Sequence, residues 1–183
     1  LGGIQRIAKV SQVIVPFMAI TYVVFALVIV LGHISAIPAA VKLICQSAFD
    51  PQAALGAATG VTIKLAMQKG IGRGIFSNEA GLGTGSIAHA CADTQEPVRQ
   101  GLFGIFEVFA DTIVICTLTA LTIICSGVDI TFGHKVGSEL ITAAFATMFG
   151  QKFASVFVAL ALMLFAFTTI LGWSLYGSRC VQY

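Results

Sequence analysis

Apolar positions in this chain run together instead of alternating. Val10 to Leu31 holds no charged residue and contains VIVPFMAITYVVFALVIVL. Thr112 to Val128 is uncharged, and its helix is expected to begin before Gly101. Phe153 to Ser178 is also uncharged and is the longest of the three. A bilayer core of roughly 30 Å takes about 20 apolar residues in helical form. A soluble core helix seldom stays apolar all round for so long. The three runs are therefore predicted to span a membrane. Pro16, near the start of the first, is tolerated there or kinks the helix. Ile37 to Phe49, opened by Pro38, is too short to span and reads as an interfacial or loop helix.

A fourth element differs. Ala54 to Gln68 is apolar and rich in small residues, then runs into KGIGRGIFSNEAGLGTGSIAHA over Lys69 to Ala90. Six glycines fall there: Gly70, Gly72, Gly74, Gly81, Gly83 and Gly85. Each costs about 1 kcal/mol relative to alanine inside a helix, so a helix that breaks and resumes is expected. A break at membrane depth exposes backbone N–H and C=O groups, tolerable where they line a protein cavity or bind something. Secondary transporters place substrate and ions at such breaks, where half-helix ends supply partial charges of both signs. The reading is an all-α, polytopic transmembrane helix bundle, one region over 1–183, with spans near 12–31, 54–92 (broken near 70–85), 100–127 and 152–177. Segments 33–53 and 127–152 are left as loops.

Composition strengthens this picture. Charged residues make up 10% and apolar residues 57% of the chain, against roughly a quarter charged in a soluble domain. The formal net charge of +2 and the lack of a basic run give no reason to expect nucleic acid. Arg6 and Lys9 place the N-terminal end inside, although Lys42, Lys135 and Lys152 in the opposite loops weaken the bias. The five cysteines form no CxxC pair and read as small hydrophobes in helices. No signal peptide is visible, and the edges at Leu1 and Tyr183 read as cuts through a longer protein.

Candidate chemistry centres on the break. A carboxylate at membrane depth is expensive and usually faces a cavity or partner. Glu79 either faces an amino-acid or cation site, caps the second half-helix, or pairs with Arg73. Phe76 and Trp173 are candidate pocket walls, or packing residues. Thr168 and Thr169 offer hydroxyl oxygens to a hard cation, or bond back to the carbonyl one turn earlier. Glu107 and Asp111, four apart, share a helix face and suggest proton or metal work, or structural hydrogen bonding. His89 and Asp93 share that spacing without a third ligand, so no metal site is assigned. No nucleophile–base set or P-loop is present, and an enzyme is not expected.

The string GIGRGIFSNEAGLGTGS at Gly70–Ser86 resembles the signature of the alanine or glycine:cation symporter family. GGIQRIAKV, VPFMAITY, SAFDPQAALG, FADTIVICTLTALTI and FVALALMLFAFTTILGWSLYG extend the resemblance over nearly the whole chain. It implies a leucine-transporter-like, inverted-repeat fold of the amino acid–polyamine–organocation superfamily. The chain would cover about the fifth to eighth helices, with the sixth broken at the substrate site. Carried over by position, Phe76, Ser77, Asn78, Glu79, Gly81 and Trp173 would line the substrate, and Thr168 and Thr169 would bind sodium. Lys64 and His89 depart from the family pattern.

The expected function is sodium-coupled symport of a small neutral amino acid, alanine and/or glycine, into the cell. It would act as a multi-pass protein of the plasma or inner membrane, with lipid as its surroundings and no cofactor beyond the coupling ion. Alternatives are an ion channel and a proton-coupled transporter of another small solute. Oligomeric state is not readable from the sequence.

Overall fold

A computed structural model describes residues 4–49, 63–79, 81–130 and 137–182. All regular structure among them is helical. Helix α1 covers Ile4–Gly32 and contains Pro16. A 3-10 turn at Ile34–Ala36 leads into α2, Ile37–Phe49. The glycine-rich segment gives α3, Ile63–Ser77, and a short α4, Thr84–His89. The start of the expected span over 54–92, up to 62, lies outside the described residues, as does Ala80.

Helix α5 (Pro97–Val108) opens on Pro97, whose missing N–H costs nothing in a first turn. It continues through a π-helical stretch, Phe109–Cys116, into α6, Thr117–Cys125. Helices α7 (Gly137–Phe149) and α8 (Gln151–Gln182) complete the chain. Helix α7 falls where the sequence reading placed a loop, and its Phe145 and Ala144 are fully buried. The sequence reading left 127–152 as a loop between spans and missed the apolar face of this helix.

Among the described residues, three helical stretches are long and apolar enough to cross a membrane: Lys9–Gly32, Pro97–Cys125 and Gln151–Gln182. Only 22%, 17% and 17% of their most apolar windows is buried within the chain. Phe17, Ile105 and Ile170 are each more than 60% exposed. Such faces suit lipid or further helices and not water.

The buried cluster explains how the spans are held. Tyr22, Ala26 and Ile29, spaced as one helical face, meet Leu118 of α6, Phe145 of α7, and Ala154 and Val158 of α8. Ala26 and Ala154 are fully buried, and small residues of this kind let membrane helices approach closely. A ladder of rings surrounds them: Phe25–Phe157 centroids lie 4.7 Å apart, Phe145–Phe157 5.3 Å and Tyr22–Phe145 6.1 Å. Tyr22 Oη lies 2.8 Å from Thr119 Oγ1. The Thr119 proton is given to Ile115 O at 2.8 Å, so Tyr22 is the donor. Gly150 alone joins α7 to α8; its φ of +81° is the left-handed conformation that closes a helix C-terminus. The α7–α8 hairpin is consequently tight, and α8 is fixed against the core at its N-terminal end.

Candidate functional site

Helix α3 runs on through Gly70, Gly72 and Gly74 and stops at Ser77. Among the described residues the break takes in 78, 79 and 81–83. Gly81 (φ +75°) and Gly83 (φ +80°) hold conformations that L side chains rarely adopt. Glu79 is the one non-glycine residue with positive φ among the described residues, at 51°. That conformation costs roughly 1–2 kcal/mol, and backbone outliers of this sort cluster at functional sites. Among the described residues, the main-chain bonds left in the break are Asn78 N–H to Gly74 O and Leu82 N–H to Glu79 O, both 3.2 Å.

Side chains from two other spans hold the break. Ser77 Oγ donates to Asp111 Oδ2 at 2.6 Å, and Thr112 Oγ1 donates to Asn78 Oδ1 at 3.0 Å. Asn78 Nδ2 closes back on Gly74 O at 3.0 Å. Both anchors, Asp111 and Thr112, lie in the π-helical stretch. Such turns are rare and recur at functional sites. From α8, the Tyr176 hydroxyl donates to Glu79 Oε2 at 3.0 Å and Oε1 at 3.2 Å. Trp173 lies against Phe76, ring centroids 6.4 Å apart, and against Tyr176 at 6.3 Å. Gln68, Arg73, Phe76, Ser77, Asn78 and Thr112 help line a cleft of ≈ 940 Å³.

The structure thus gathers Phe76, Ser77, Asn78, Glu79, Gly81 and Trp173 around one break. Thr168 and Thr169 stand one to two turns before Trp173 on α8. Both hydroxyls donate to Phe165 O, at 3.0 and 2.8 Å. This is the back-bonded arrangement weighed from sequence; it uses the protons and leaves the oxygen lone pairs open.

Two alternatives for Glu79 receive no support. Helix α4 has no side-chain cap bond, and the one contact at salt-bridge distance among the described residues is between His89 and Glu107, 3.7 Å, with none from Arg73. Glu107 and Asp111 also serve different partners: Glu107 faces His89 of α4, while Asp111 takes the Ser77 proton. His89 Nδ1 accepts from Gln100 Nε2 at 2.8 Å. A Cβ on Gly104 would sit 3.4 Å from His89 Nε2, so Gln100, Gly104 and Glu107 form one α5 face that seats the imidazole. Among the described residues no group of three or more His, Cys, Asp or Glu is placed to hold a metal.

Sequence reasoning missed Thr112, Gln100, Tyr176 and Thr84. Thr84 Oγ1 is buried without a hydrogen-bond partner among the described residues. Tyr176 lies 97 positions from Glu79. The one signal for it was its register with Trp173, three residues earlier on the same helix.

A profile of the sodium:alanine symporter family matches residues 1–183. The chain is 51% identical over its full length to a protein of Haemophilus influenzae named as an uncharacterized transporter, covering 40% of that protein. It is 41% identical over its full length to the sodium/alanine symporter AgcS of Methanococcus maripaludis, again covering 40%. It is 40% identical to the probable sodium/glutamine symporter GlnT of Bacillus subtilis, covering 37%. The chain therefore spans about two-fifths of the length of these relatives. The family is one of symporters and not of enzymes, and the profile covers every residue: the chain belongs to the sodium:alanine symporter family.

Proposed function

We propose that this chain is part of a secondary active transporter of the cell membrane that couples sodium entry to uptake of a small neutral amino acid, alanine and/or glycine. The observation that carries the reading is the break at 78, 79 and 81–83, where Ser77, Asn78 and Glu79 meet side chains from two other spans. An amino acid presents a carboxylate and an ammonium a few ångströms apart. Unpaired N–H groups of a broken helix suit the first, and free carbonyls with the Glu79 carboxylate suit the second. The Phe76–Trp173 pair forms a wall that limits side-chain size. Thr168 and Thr169, with protons turned to Phe165 O, offer lone pairs to a hard cation.

Coupling then requires sodium to favour a conformation that also binds the amino acid, a difference in affinity between states. Relatives carry both alanine and glutamine in their names, so side-chain size is the discriminating variable. The test is uptake of labelled alanine by the full-length protein in liposomes, with an inward sodium gradient against a potassium control. Sodium-dependent uptake, competed by glycine and weakly by glutamine, is expected. Uptake driven equally by a proton gradient without sodium would replace the coupling ion. Uncoupled single-channel currents would replace symport with a channel.

A further inference from the structure

We propose that Tyr176 is a positioning residue: its hydroxyl sets the Glu79 carboxylate inside the break and ties the break to α8. The inference rests on the transport reading above for its functional consequence, and on geometry alone for the contact.

Three observations converge. First, Glu79 occupies a left-handed backbone conformation, φ 51°. A non-glycine residue stays there when its surroundings hold it. Second, the Tyr176 hydroxyl meets both carboxylate oxygens, at 3.0 and 3.2 Å. It is the one side-chain donor to that carboxylate among the described residues. The helix that follows offers no cap bond, and a Cβ at Gly85 would lie 3.7 Å from Oε2. One shared proton fixes the orientation of the carboxylate yet leaves most of its roughly four acceptor sites open to a ligand. Third, Thr169, Trp173 and Tyr176 follow the i, i+4, i+7 spacing of one helical face. That face touches the chain just before the turn, through Trp173 to Phe76, and within it, through Tyr176 to Glu79. A single strip of α8 thereby carries a proposed ion-binding hydroxyl, a pocket wall and the carboxylate's anchor.

The test uses the full-length protein in liposomes and the variant Tyr176→Phe, which keeps the ring and deletes the donor. Two readouts are taken. The first is infrared absorption of the Glu79 carboxylate stretch, identified by its disappearance in Glu79→Gln. The second is the kinetics of alanine uptake, normalised to inserted protein. The expected results are a displaced carboxylate band and a KM raised roughly tenfold, the scale of one hydrogen bond to a charged group, with Vmax within about twofold. A merely structural tyrosine would lower Vmax through the amount of folded protein and leave KM in place. An unmoved band, or an unchanged KM, overturns the assignment. If the wild-type protein takes up no alanine under sodium, the transport reading falls, and the infrared band alone decides whether Tyr176 holds Glu79.

Discussion

The Ser77–Asp111 bond is short enough to measure as an energy. At 2.6 Å it lies in the range of a charge-assisted O–H···O⁻ bond. Hydrogen bonds to charged groups contribute about 1.5–3 kcal/mol. Neutral bonds between membrane helices average about 0.6 kcal/mol and reach about 1.7. Ser77 is exposed and Asp111 half-buried within this chain, which pulls the value toward the lower end. A coupling of about 1–2 kcal/mol is therefore expected. Ser77→Ala removes the donor and strands a carboxylate at membrane depth. Asp111→Asn keeps an acceptor but removes its charge. The single changes should each destabilise, and the double variant should cost less than their sum, because the stranded charge is gone. The assay is a double-mutant cycle on reversible unfolding of the full-length protein in mixed detergent micelles. A coupling below about 0.5 kcal/mol would refute the view that this bond clamps the end of α3 to the π-helical stretch.

Three further outcomes follow from the same geometry. Phe145→Ala removes a fully buried ring from the centre of the aromatic ladder and should destabilise by about 2–4 kcal/mol, read in the same unfolding assay; the void remains even though lipid, not water, is the alternative surrounding. Thr168→Val together with Thr169→Val, near-isosteric and lacking both oxygens, should raise the sodium concentration for half-maximal uptake at least tenfold while leaving thermal stability within a few degrees. Phe76→Ala takes away one side of the Phe76–Trp173 wall and should improve competition by glutamine relative to glycine by roughly tenfold, measured as inhibition of labelled-alanine uptake.

What could be read from the sequence was what depends on local pattern. Long uncharged runs such as Val10–Leu31 specify helices because lipid admits no other open backbone. The all-helical class and three candidate membrane-crossing helices follow directly. Glycine was a blunter signal. Six glycines suggested a break, yet Gly70, Gly72 and Gly74 sit inside α3, and only Gly81 and Gly83 of that set have positive φ. Composition does not distinguish a glycine that packs in a helix from one that turns the chain. The π-helical stretch left no trace in FADTIVIC; of the two roles weighed for the Glu107 and Asp111 carboxylates, Asp111 takes the structural hydrogen bond, from Ser77. Tyr176 and Glu79 meet across 97 residues, and no local period encodes such a meeting.

Helix α8 buries Ala154, Val158 and Leu171, points spread along about 26 Å of its axis at 1.5 Å per residue. At its foot, where Ala154 and Val158 join the core cluster, it has little freedom to swing as a rigid rod without opening that core. Beyond Leu171 the helix is only partly buried, against the break and α4, and Tyr176 stands about 7.5 Å past that last fully buried residue. A flexure near 8° there shifts the hydroxyl by about 1 Å and stretches its 3.0 Å contact with Glu79 beyond hydrogen-bonding range. A bend confined to the tip of this one rod would thus be enough to open the bond to the break while the aromatic ladder at its foot stays closed.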